Sequence, residues 1–184
     1  MKGCMDIKTS IVILTFNKLE YTIPCIDSIR EYTRRGSYEI IVIDNASTDG
    51  TREWLAQQTD IVTIFNEENL GFPKGCNQGI ETATGSNILL LNNDVIVTER
   101  WLDNLLKALY SSEDIGAVGA ISNNCPYYQS IPVDYRTPDE MQSFARTLNV
   151  HDPKKWEERI KLVGFCMLIK REVVDQVGSL DERF

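Results

Sequence analysis

The sequence lacks long apolar runs, closely spaced cysteines and histidines other than His151. No stretch approaches the roughly 20 apolar residues of a membrane-spanning helix, and the start MKGCMDIKTS has no apolar core of a signal peptide. Without a CxxC spacing, neither a zinc knuckle nor a disulfide framework is indicated for the five scattered cysteines, Cys4, Cys25, Cys76, Cys125 and Cys166. We therefore expect free thiols and a cytoplasmic chain, with peripheral association at the inner membrane face left open.

Positive charge is also scarce. The chain has 19 Lys and Arg residues against 27 Asp and Glu residues, which gives a formal net charge of −8. This balance argues against a nucleic-acid partner, because such partners need a basic surface. It does not exclude a nucleotide, because a bound metal ion can reverse the local charge.

What the sequence does have is a repeated alternation of apolar strands and helical patterns. The strand-like runs carry no in/out alternation, which is typical of parallel strands covered on both faces. The alternation predicts an α/β fold with an open, mostly parallel twisted sheet and helices on both faces, similar to a Rossmann fold. At 184 residues and 42% hydrophobic content we expect one domain over residues 1–184. The runs are Ser10–Phe16, Glu39–Ile43, Ile61–Phe65 and Ile88–Leu91.

Helix boundaries can be placed from caps and breakers. Pro73 predicts the start of a helix that ends at Gly85. Thr98 is expected to cap a helix with leucines on one face, and a helical signal covers Pro138–Leu148. An apolar run from Gly164 predicts a late strand.

Polar residues follow each of the four predicted strands. In open α/β sheets, ligands bind outside the carboxyl ends of the strands, so these residues are candidates for one shared site. Each is also an ordinary turn or cap residue, and that alternative stays open for any one of them. The segments are TFN at 15–17, DNASTDG at 44–50, NEENLGF at 66–72 and NND at 92–94.

Five segments in this order resemble the successive motifs of glycosyltransferase family 2: SIVILTFN, EIIVIDNASTDGT, NLGFPKGCNQGI, ILLLNNDVIVTERWLDNLL and VGFCMLIKREVVDQVGSLDERF. The resemblance runs from about residue 9 to the end of the chain and is weakest between Asn124 and Lys161. It implies the GT-A fold and a nucleotide-diphosphate-sugar donor of the UDP, dTDP or GDP type.

The resemblance assigns donor-binding roles. Asp44 would accept a hydrogen bond from the imide N–H of the base, which suits an acceptor-only carboxylate, although it is also a possible Asx-turn residue. Thr15 and Asn17 are expected to line the base and ribose pocket, with a polar turn as the alternative. Asn93 would bind ribose or reach a metal ion through water.

The loop from Asn69 leads into a helix start, where backbone N–H groups can hold an anionic diphosphate. Lys74 could add a positive charge there, although solvated lysines are common at such positions. Asn77, one helical turn further on, is expected to help shape the donor pocket. Gly75 and Gly79 are four residues apart, as close packing of this helix on the sheet would require.

Asp94 is the predicted metal ligand. Mg²⁺ and Mn²⁺ prefer oxygen ligands and commonly use one or two carboxylates with phosphate oxygens and water. The family often has an aspartate-rich triplet here, whereas this chain has Asn92-Asn93-Asp94. One carboxylate predicts weak metal affinity without nucleotide. The alternative for Asp94 is a residue that only ends the strand.

No catalytic base is expected within the chain. In the family, the acidic residue that deprotonates the acceptor hydroxyl follows the segment that Gly178–Phe184 matches. Asp181 and Glu182 match the lead-in to that base and read most simply as a charged loop. We therefore expect that the chain lacks the C-terminal part of the domain and that it turns over poorly as it stands.

The resemblance predicts a metal-assisted, inverting glycosyltransferase for hexosyl or deoxyhexosyl transfer in glycan or cell-surface polysaccharide biosynthesis. The expected acceptor is a glycan, a lipid-linked glycan or a protein. Residues 123–158, rich in proline, tyrosine and charge, are a candidate acceptor-side excursion. A non-catalytic nucleotide-sugar-binding module is the main alternative. A sugar nucleotidyltransferase is disfavoured because the turn at 15–18 has no glycine.

Overall fold

The computed structural model describes residues 8–183 and, within them, every side chain except that of Tyr127. Cys4 and Phe184 therefore lie outside the described residues. Six strands form one sheet in the order β3-β2-β1-β4-β6-β5. The strands are β1 Thr9–Thr15, β2 Tyr38–Asp44, β3 Ile61–Phe65, β4 Asn87–Asn92, β5 Ala117–Gly119 and β6 Cys166–Lys170.

The first four strands are parallel, and β6 pairs antiparallel with both β4 and β5. The predicted open, mostly parallel α/β sheet is thus confirmed, and each predicted parallel strand lies within one residue of its predicted start. The continuous apolar runs account for this, because Ile11, Val12 and Ile13 of β1 are all buried on alternating faces. The late strand predicted from Gly164 begins at Cys166.

Residues 8–183 contain six α-helices, of which five lie between strands and α6 follows β6: α1 Leu19–Tyr32, α2 Thr51–Leu55, α3 Phe72–Thr82, α4 Trp101–Leu109, α5 Pro138–Leu148 and α6 Arg171–Val177. One core cluster joins Ile11 and Ile13 to residues of α1 and α4. A second cluster joins Val12 to Cys76 and Ile80 of α3 on the opposite face. The helices therefore cover both faces of the sheet, as predicted. Within residues 8–183, no helix is both long and apolar enough to span a bilayer.

Helix α3 lies very close to the sheet because it has glycines on its inner side. An added Cβ at Gly75 would lie 2.3 Å from Leu14 Cδ1, and one at Gly79 would lie 2.4 Å from Val12 Cγ1. The predicted reason for the Gly75 and Gly79 spacing is confirmed. This close packing of α3 on the sheet sets the distance between the first turn of α3 and the ends of β1 and β2, where polar residues were predicted to form a site.

Two predicted helix boundaries were wrong. Thr98 does not cap α4; the N-cap position is Arg100, in the left-handed region at φ 64°. The Thr98 hydroxyl instead accepts a hydrogen bond from Asn149 Nδ2 at 2.9 Å, at the C-terminal end of α5. Helix α3 ends at Thr82 rather than at Gly85, because Gly85 lies directly against the β1 backbone, with an added Cβ only 2.6 Å from Lys8 O.

Helix α5 has the predicted bounds, Pro138–Leu148. Its start is stabilised by a capping box, in which Thr137 Oγ1 accepts from Glu140 N and the Glu140 carboxylate accepts from Thr137 N. The helix belongs to the long connection between β5 and β6, which also contains two short 3₁₀ turns, Tyr127–Gln129 and Pro153–Lys155.

Candidate functional site

The carboxyl ends of the four parallel strands lie along one edge of the sheet. The strand order reverses between β1 and β4. From β1, the chain continues to β2 and β3 on one side, and then crosses to β4 on the other side of β1. Such a switch point opens a crevice outside the strand ends. Thr15, Asp44, Phe65 and Asn92 are the last residues of the four strands, so the segments singled out in the sequence meet at one edge.

Asp44 lies at the centre of this edge and is fully buried, at 0% exposure. Its carboxylate accepts from the backbone N–H of Ser47, at 3.3 and 3.2 Å for its two oxygens. Arg52 Nε lies 3.7 Å from Asp44 Oδ2. The carboxylate thus keeps free lone pairs. A nucleotide base can reach them only if the surrounding side chains, above all that of Arg52, move aside.

Arg52, which was not singled out in the sequence, is held by several groups. One guanidinium nitrogen donates to Asn66 O at 2.8 Å and another to Glu67 Oε1 at 3.3 Å. The guanidinium carbon lies 5.1 Å from the centre of the Phe65 ring, within cation–π range. A half-exposed cation and an aromatic ring therefore border the carboxylate predicted to bind the base.

Asn17 ties the turn after β1 to the turn after β2. Its Oδ1 accepts from Thr48 N at 2.7 Å, and its own N–H donates to Ser47 Oγ at 2.7 Å. Asn17 and Lys18 are both in the left-handed region, at φ 58° and 65°, a conformation that asparagine tolerates better than most residues. These bonds hold both turns in place at the crevice.

Thr15 is buried beside a second hydroxyl that the sequence did not single out, that of Thr22. The two Oγ1 atoms are 3.0 Å apart. Asn93 Nδ2 donates to Thr15 Oγ1 at 3.3 Å and to Thr22 Oγ1 at 3.1 Å. The Asn93 amide nitrogen is engaged inside the protein, so its Oδ1 is the side-chain atom it can offer to a ligand.

Asp94 is exposed, directly after the end of β4. Among residues 8–183, no hydrogen bond or ion pair engages its carboxylate. Beneath it, the Cys25 thiol donates to Asn92 O at 3.6 Å. Burial, followed by the negative charge of Asp94, raises the pKa of Cys25 to about 12, so that thiol stays protonated. Both Asp94 oxygens are therefore free at the switch point.

The donor set for a metal ion is small. Within the described part of the chain, no group of three or more His, Cys, Asp or Glu side chains could hold an ion. One free carboxylate fits a hard cation such as Mg²⁺ or Mn²⁺ only if a diphosphate and water supply the remaining oxygens. The residues present thus fit a metal ion that binds together with a nucleotide.

A network of side-chain amides supports the loop before α3. Asn45 Nδ2 donates to Asn69 Oδ1 at 3.1 Å and to Gly71 O at 3.2 Å, and Asn69 Oδ1 also accepts from Gly71 N at 2.9 Å. Gly71 is at φ 79°, which a side chain would oppose. Lys74 is exposed in the first turn of α3. The loop is thus held rigidly, with a positive charge at the helix start.

Asn66 extends this network. Its Nδ2 donates to Asn45 Oδ1 and to Gln78 Oε1, both at 2.8 Å, and its Oδ1 accepts from Gln78 Nε2 at 2.9 Å. Neither Asn66 nor Gln78 was singled out as a site residue in the sequence. The only signal was the position of Asn66 directly after a strand.

Asn77 lies on the same helix but contacts the far end of the chain. Its side chain bonds to the backbone of Leu180 and to the Glu182 carboxylate. The sequence predicted that Asn77 helps shape the donor pocket; the structure shows what holds its amide, and a direct donor contact stays a prediction.

The long connection after β5 encloses a mostly apolar cavity of about 280 Å³ beside the strand-end site. Part of its wall follows directly on Asp94, since Val95 lines it. Trp156 also lines the cavity and stacks edge-on against His151, with ring centres 5.5 Å apart. The Tyr128 hydroxyl donates to Lys161 O, which ties this connection to itself.

A family model described as glycosyl transferase family 2 matches residues 10–178. Among curated relatives, the glycosyltransferase AglE of Haloferax volcanii is 28% identical over 174 residues, which cover 92% of this chain and 54% of that protein. The low-salt glycan biosynthesis hexosyltransferase Agl10 of the same organism is 28% identical over 95% of this chain and 56% of its own length. The chain thus spans about half the length of these relatives.

The mannosyltransferase PcManGT from Pyrobaculum calidifontis, solved in complex with GDP-Man and Mn²⁺, superposes with a TM-score of 0.69. The identity is 24%, and the match covers 95% of this chain and 48% of that one. At this identity the likeness shows the fold, which is the GT-A fold.

Proposed function

Because this chain belongs to glycosyltransferase family 2, we propose that it holds the donor site of an enzyme that transfers a sugar from a nucleotide-diphosphate donor to an acceptor hydroxyl. The observation that supports this most directly is the meeting of Asp44 and the free Asp94 carboxylate at one sheet edge, beside the reversal of strand order. We infer that the enzyme is cytoplasmic, is peripheral to the membrane and acts in glycan or cell-surface polysaccharide biosynthesis.

The nucleoside would bind at the ends of β1 and β2. Asp44 would accept the imide N–H of the base once Arg52 has moved aside, and Asn17 keeps the neighbouring turns in place for it. Thr15 would act mainly through Asn93. Its hydroxyl accepts a hydrogen bond from the Asn93 amide nitrogen, and the Asn93 amide oxygen would then face the ribose. The nucleotides bound by fold neighbours, GDP-Man and UDP, both carry a base with such an N–H.

The diphosphate would lie between the first turn of α3 and Asp94. The helix start offers backbone N–H groups, Lys74 adds positive charge, and Asn69 holds the loop backbone in place. Asp94 would hold Mg²⁺ or Mn²⁺ together with the phosphate oxygens, and the ion would stabilise the charge that grows on the departing nucleoside diphosphate. The Mn²⁺ in the PcManGT complex supports this choice of cation.

Acceptor activation would involve groups other than those at the strand ends. Single displacement with inversion needs a base that removes the acceptor proton. Among the described acidic residues of the C-terminal segment, Asp181 is paired with Arg183 at 2.5 Å and Glu182 is bonded to Asn77, so neither is assigned that role. We propose that residues 123–158 form the acceptor side, because they enclose the cavity that begins at Val95, next to Asp94.

A donor panel tests the proposal. Calorimetry with UDP, dTDP, GDP, ADP and CDP, with and without Mn²⁺, should show metal-dependent binding for at least one of the first three. Hydrolysis of the matching nucleotide sugar, followed by proton NMR of the released sugar, should show the inverted anomer first. Binding without hydrolysis, in this chain and in a longer C-terminal version, would favour a non-catalytic nucleotide-sugar-binding module. Absence of nucleotide binding would overturn the proposal.

A further inference from the structure

The side chain of Asn77 joins two parts of the molecule that are more than 100 residues apart in sequence. Its Oδ1 accepts from Leu180 N at 2.9 Å. Its Nδ2 donates to Leu180 O and to Glu182 Oε1, both also at 2.9 Å. Asn77 thus binds both backbone groups of one residue and the side chain of another, an arrangement that fixes position and orientation together.

The amide is buried and well satisfied. Asn77 is only 3% exposed, and both of its N–H groups have partners. A buried amide that loses such partners costs about 1–3 kcal/mol for each group left unpaired. The Leu180 side chain also packs against the core cluster that contains Cys76 and Ile80 of α3. The segment is therefore held on α3 by polar and apolar contacts at the same place.

The same helix begins at the proposed diphosphate site. Asn77 follows Lys74 by three residues, so the two lie on one face of α3, one turn apart. Gly75 and Gly79 allow the helix to pack directly against β1 and β2. A change in the first turn of α3 therefore reaches Asn77 through a single rigid turn of helix.

We propose that Asn77 is a positioning residue that fixes the Leu180–Glu182 segment to the donor-side helix and couples the order of that segment to donor binding. The inference rests on the proposed function, because it needs a nucleotide diphosphate at the start of α3. A ligand there reduces local opening of α3. Through Asn77, the same ligand then reduces opening of the Leu180–Glu182 segment.

Hydrogen exchange of this chain, read on peptides that cover residues 178–183, tests the attachment without any ligand. In Asn77→Ala the Leu180 amide loses its acceptor, and its exchange should quicken by about 10-fold or more. Gln78→Ala is the matched control, because it removes an amide from the same helix that binds Asn66 and not the segment. In Gln78→Ala, the amide exchange of residues 178–183 should match that of the wild type.

A rescue experiment separates the specific bonds from general loosening. In Asn77→Asp, a carboxylate would face Glu182, and exchange of the segment should quicken. In the double variant Asn77→Asp/Glu182→Gln, the new amide can donate to the new carboxylate while Leu180 O still lacks its donor, so part of the protection should return. A double variant that exchanges as fast as Asn77→Asp would overturn the proposed role of these bonds.

The coupling is tested by adding UDP or GDP with Mn²⁺, whichever binds the wild type. Exchange in 178–183 should slow several-fold on binding in the wild type. In Asn77→Ala, measured at a nucleotide concentration that saturates the variant, the exchange of the segment should stay unchanged. Equal slowing in both proteins, or none in the wild type, would contradict the coupling. If the wild type binds neither of these nor dTDP, the proposed function fails, while the ligand-free exchange still decides the attachment.

Discussion

Thr15 of β1 and Asp44 of β2 are paired at the last register position of the two parallel strands. Both are buried, at 1% and 0% exposure, and both already have partners inside the protein. Thr15 Oγ1 lies 3.1 Å from Asn17 O, to which it donates, and Asp44 accepts from Ser47 N. The edge where the nucleoside is proposed to bind is therefore organised before any ligand arrives, and each polar atom has a defined orientation.

Asp44→Asn should weaken binding of the preferred nucleotide diphosphate by about 10- to 100-fold, the loss expected when a hydrogen bond to a charged acceptor is removed. The amide can still accept from Ser47 N–H but meets the imide N–H with less acceptor capacity. Calorimetry with and without Mn²⁺ measures this, and the stimulation by Mn²⁺ should persist. Equal losses for ADP and the preferred nucleotide, with a lowered melting temperature, would indicate a folding defect instead.

Asp94→Asn should abolish most of the difference in nucleotide affinity between Mn²⁺ and metal-free buffer. The carboxylate is the charged ligand that the protein can supply at the end of β4, and an amide oxygen is a poorer ligand for a hard cation. The melting temperature should hardly change, because Asp94 is exposed and surface substitutions usually shift stability by less than about 0.5 kcal/mol.

Asp114→Asn is the control for Asp94→Asn. It makes the same charge change at an exposed residue before β5, toward the opposite edge of the sheet. Its metal-dependent binding should equal that of the wild type. If both variants lose the metal effect equally, general electrostatics explains the loss and Asp94 is not the ligand.

The sequence predicted the four parallel strands well because burial on both faces demands continuous apolar residues, as in Ile40–Ile43. It did not predict β5, since Ala117–Gly119 is only three residues long and no member of it is fully buried. Its one pairing, with β6, is set by tertiary contacts. Arg100, rather than Thr98, is the N-cap of α4 for a similar reason, because Asn149 at the end of a distant helix donates to the Thr98 hydroxyl.

The candidate site could be predicted only in part, because local sequence patterns do not record contacts between distant elements. Residues at strand ends can be placed at one edge from topology alone, as Asp44 and Asp94 were, whereas their roles follow from the family resemblance and stay predictions. Partners that arrive from other elements leave no local pattern. Thr22 and Arg52 meet the site through contacts 7 to 71 residues apart in sequence, so only the folded chain reveals them.

Gly79→Ala should destabilise the fold by about 1–3 kcal/mol, the usual cost of overpacking a core. An added Cβ would lie 2.4 Å from Val12 Cγ1 and 2.7 Å from Ile43 Cδ1. The gain of about 1 kcal/mol in helix propensity offsets only part of this. Gly164→Ala is the control, because nothing lies within 4 Å of its added Cβ, and it should stay within about 0.5 kcal/mol of the wild type. Urea unfolding measures both, and equal stability of the two variants would contradict the packing of α3.

Glu39 should make the fold sensitive to acid at the amino end of the sheet. Burial alone would raise the pKa of Glu39, but hydrogen bonds from Ser10, Lys8 and Thr84 outweigh it and lower the pKa to about 2. The carboxylate accepts from Ser10 Oγ at 2.5 Å and from Lys8 Nζ at 2.9 Å. A carboxyl group with a lowered pKa stabilises the fold above its unfolded pKa, here 4.5, and the contribution disappears as pH falls toward the folded value.

The free energy of unfolding should therefore fall by about 2 kcal/mol from this group between pH 5 and pH 2, allowing for its partial exposure. Glu39→Gln should be less stable than the wild type at pH 7, and the difference should shrink steadily below pH 4.5, because the wild-type carboxylate becomes protonated there. Urea unfolding across this range measures the difference. A stability difference that stays constant from pH 7 to pH 2 would show that the ionised form of Glu39 is not what Lys8, Ser10 and Thr84 stabilise.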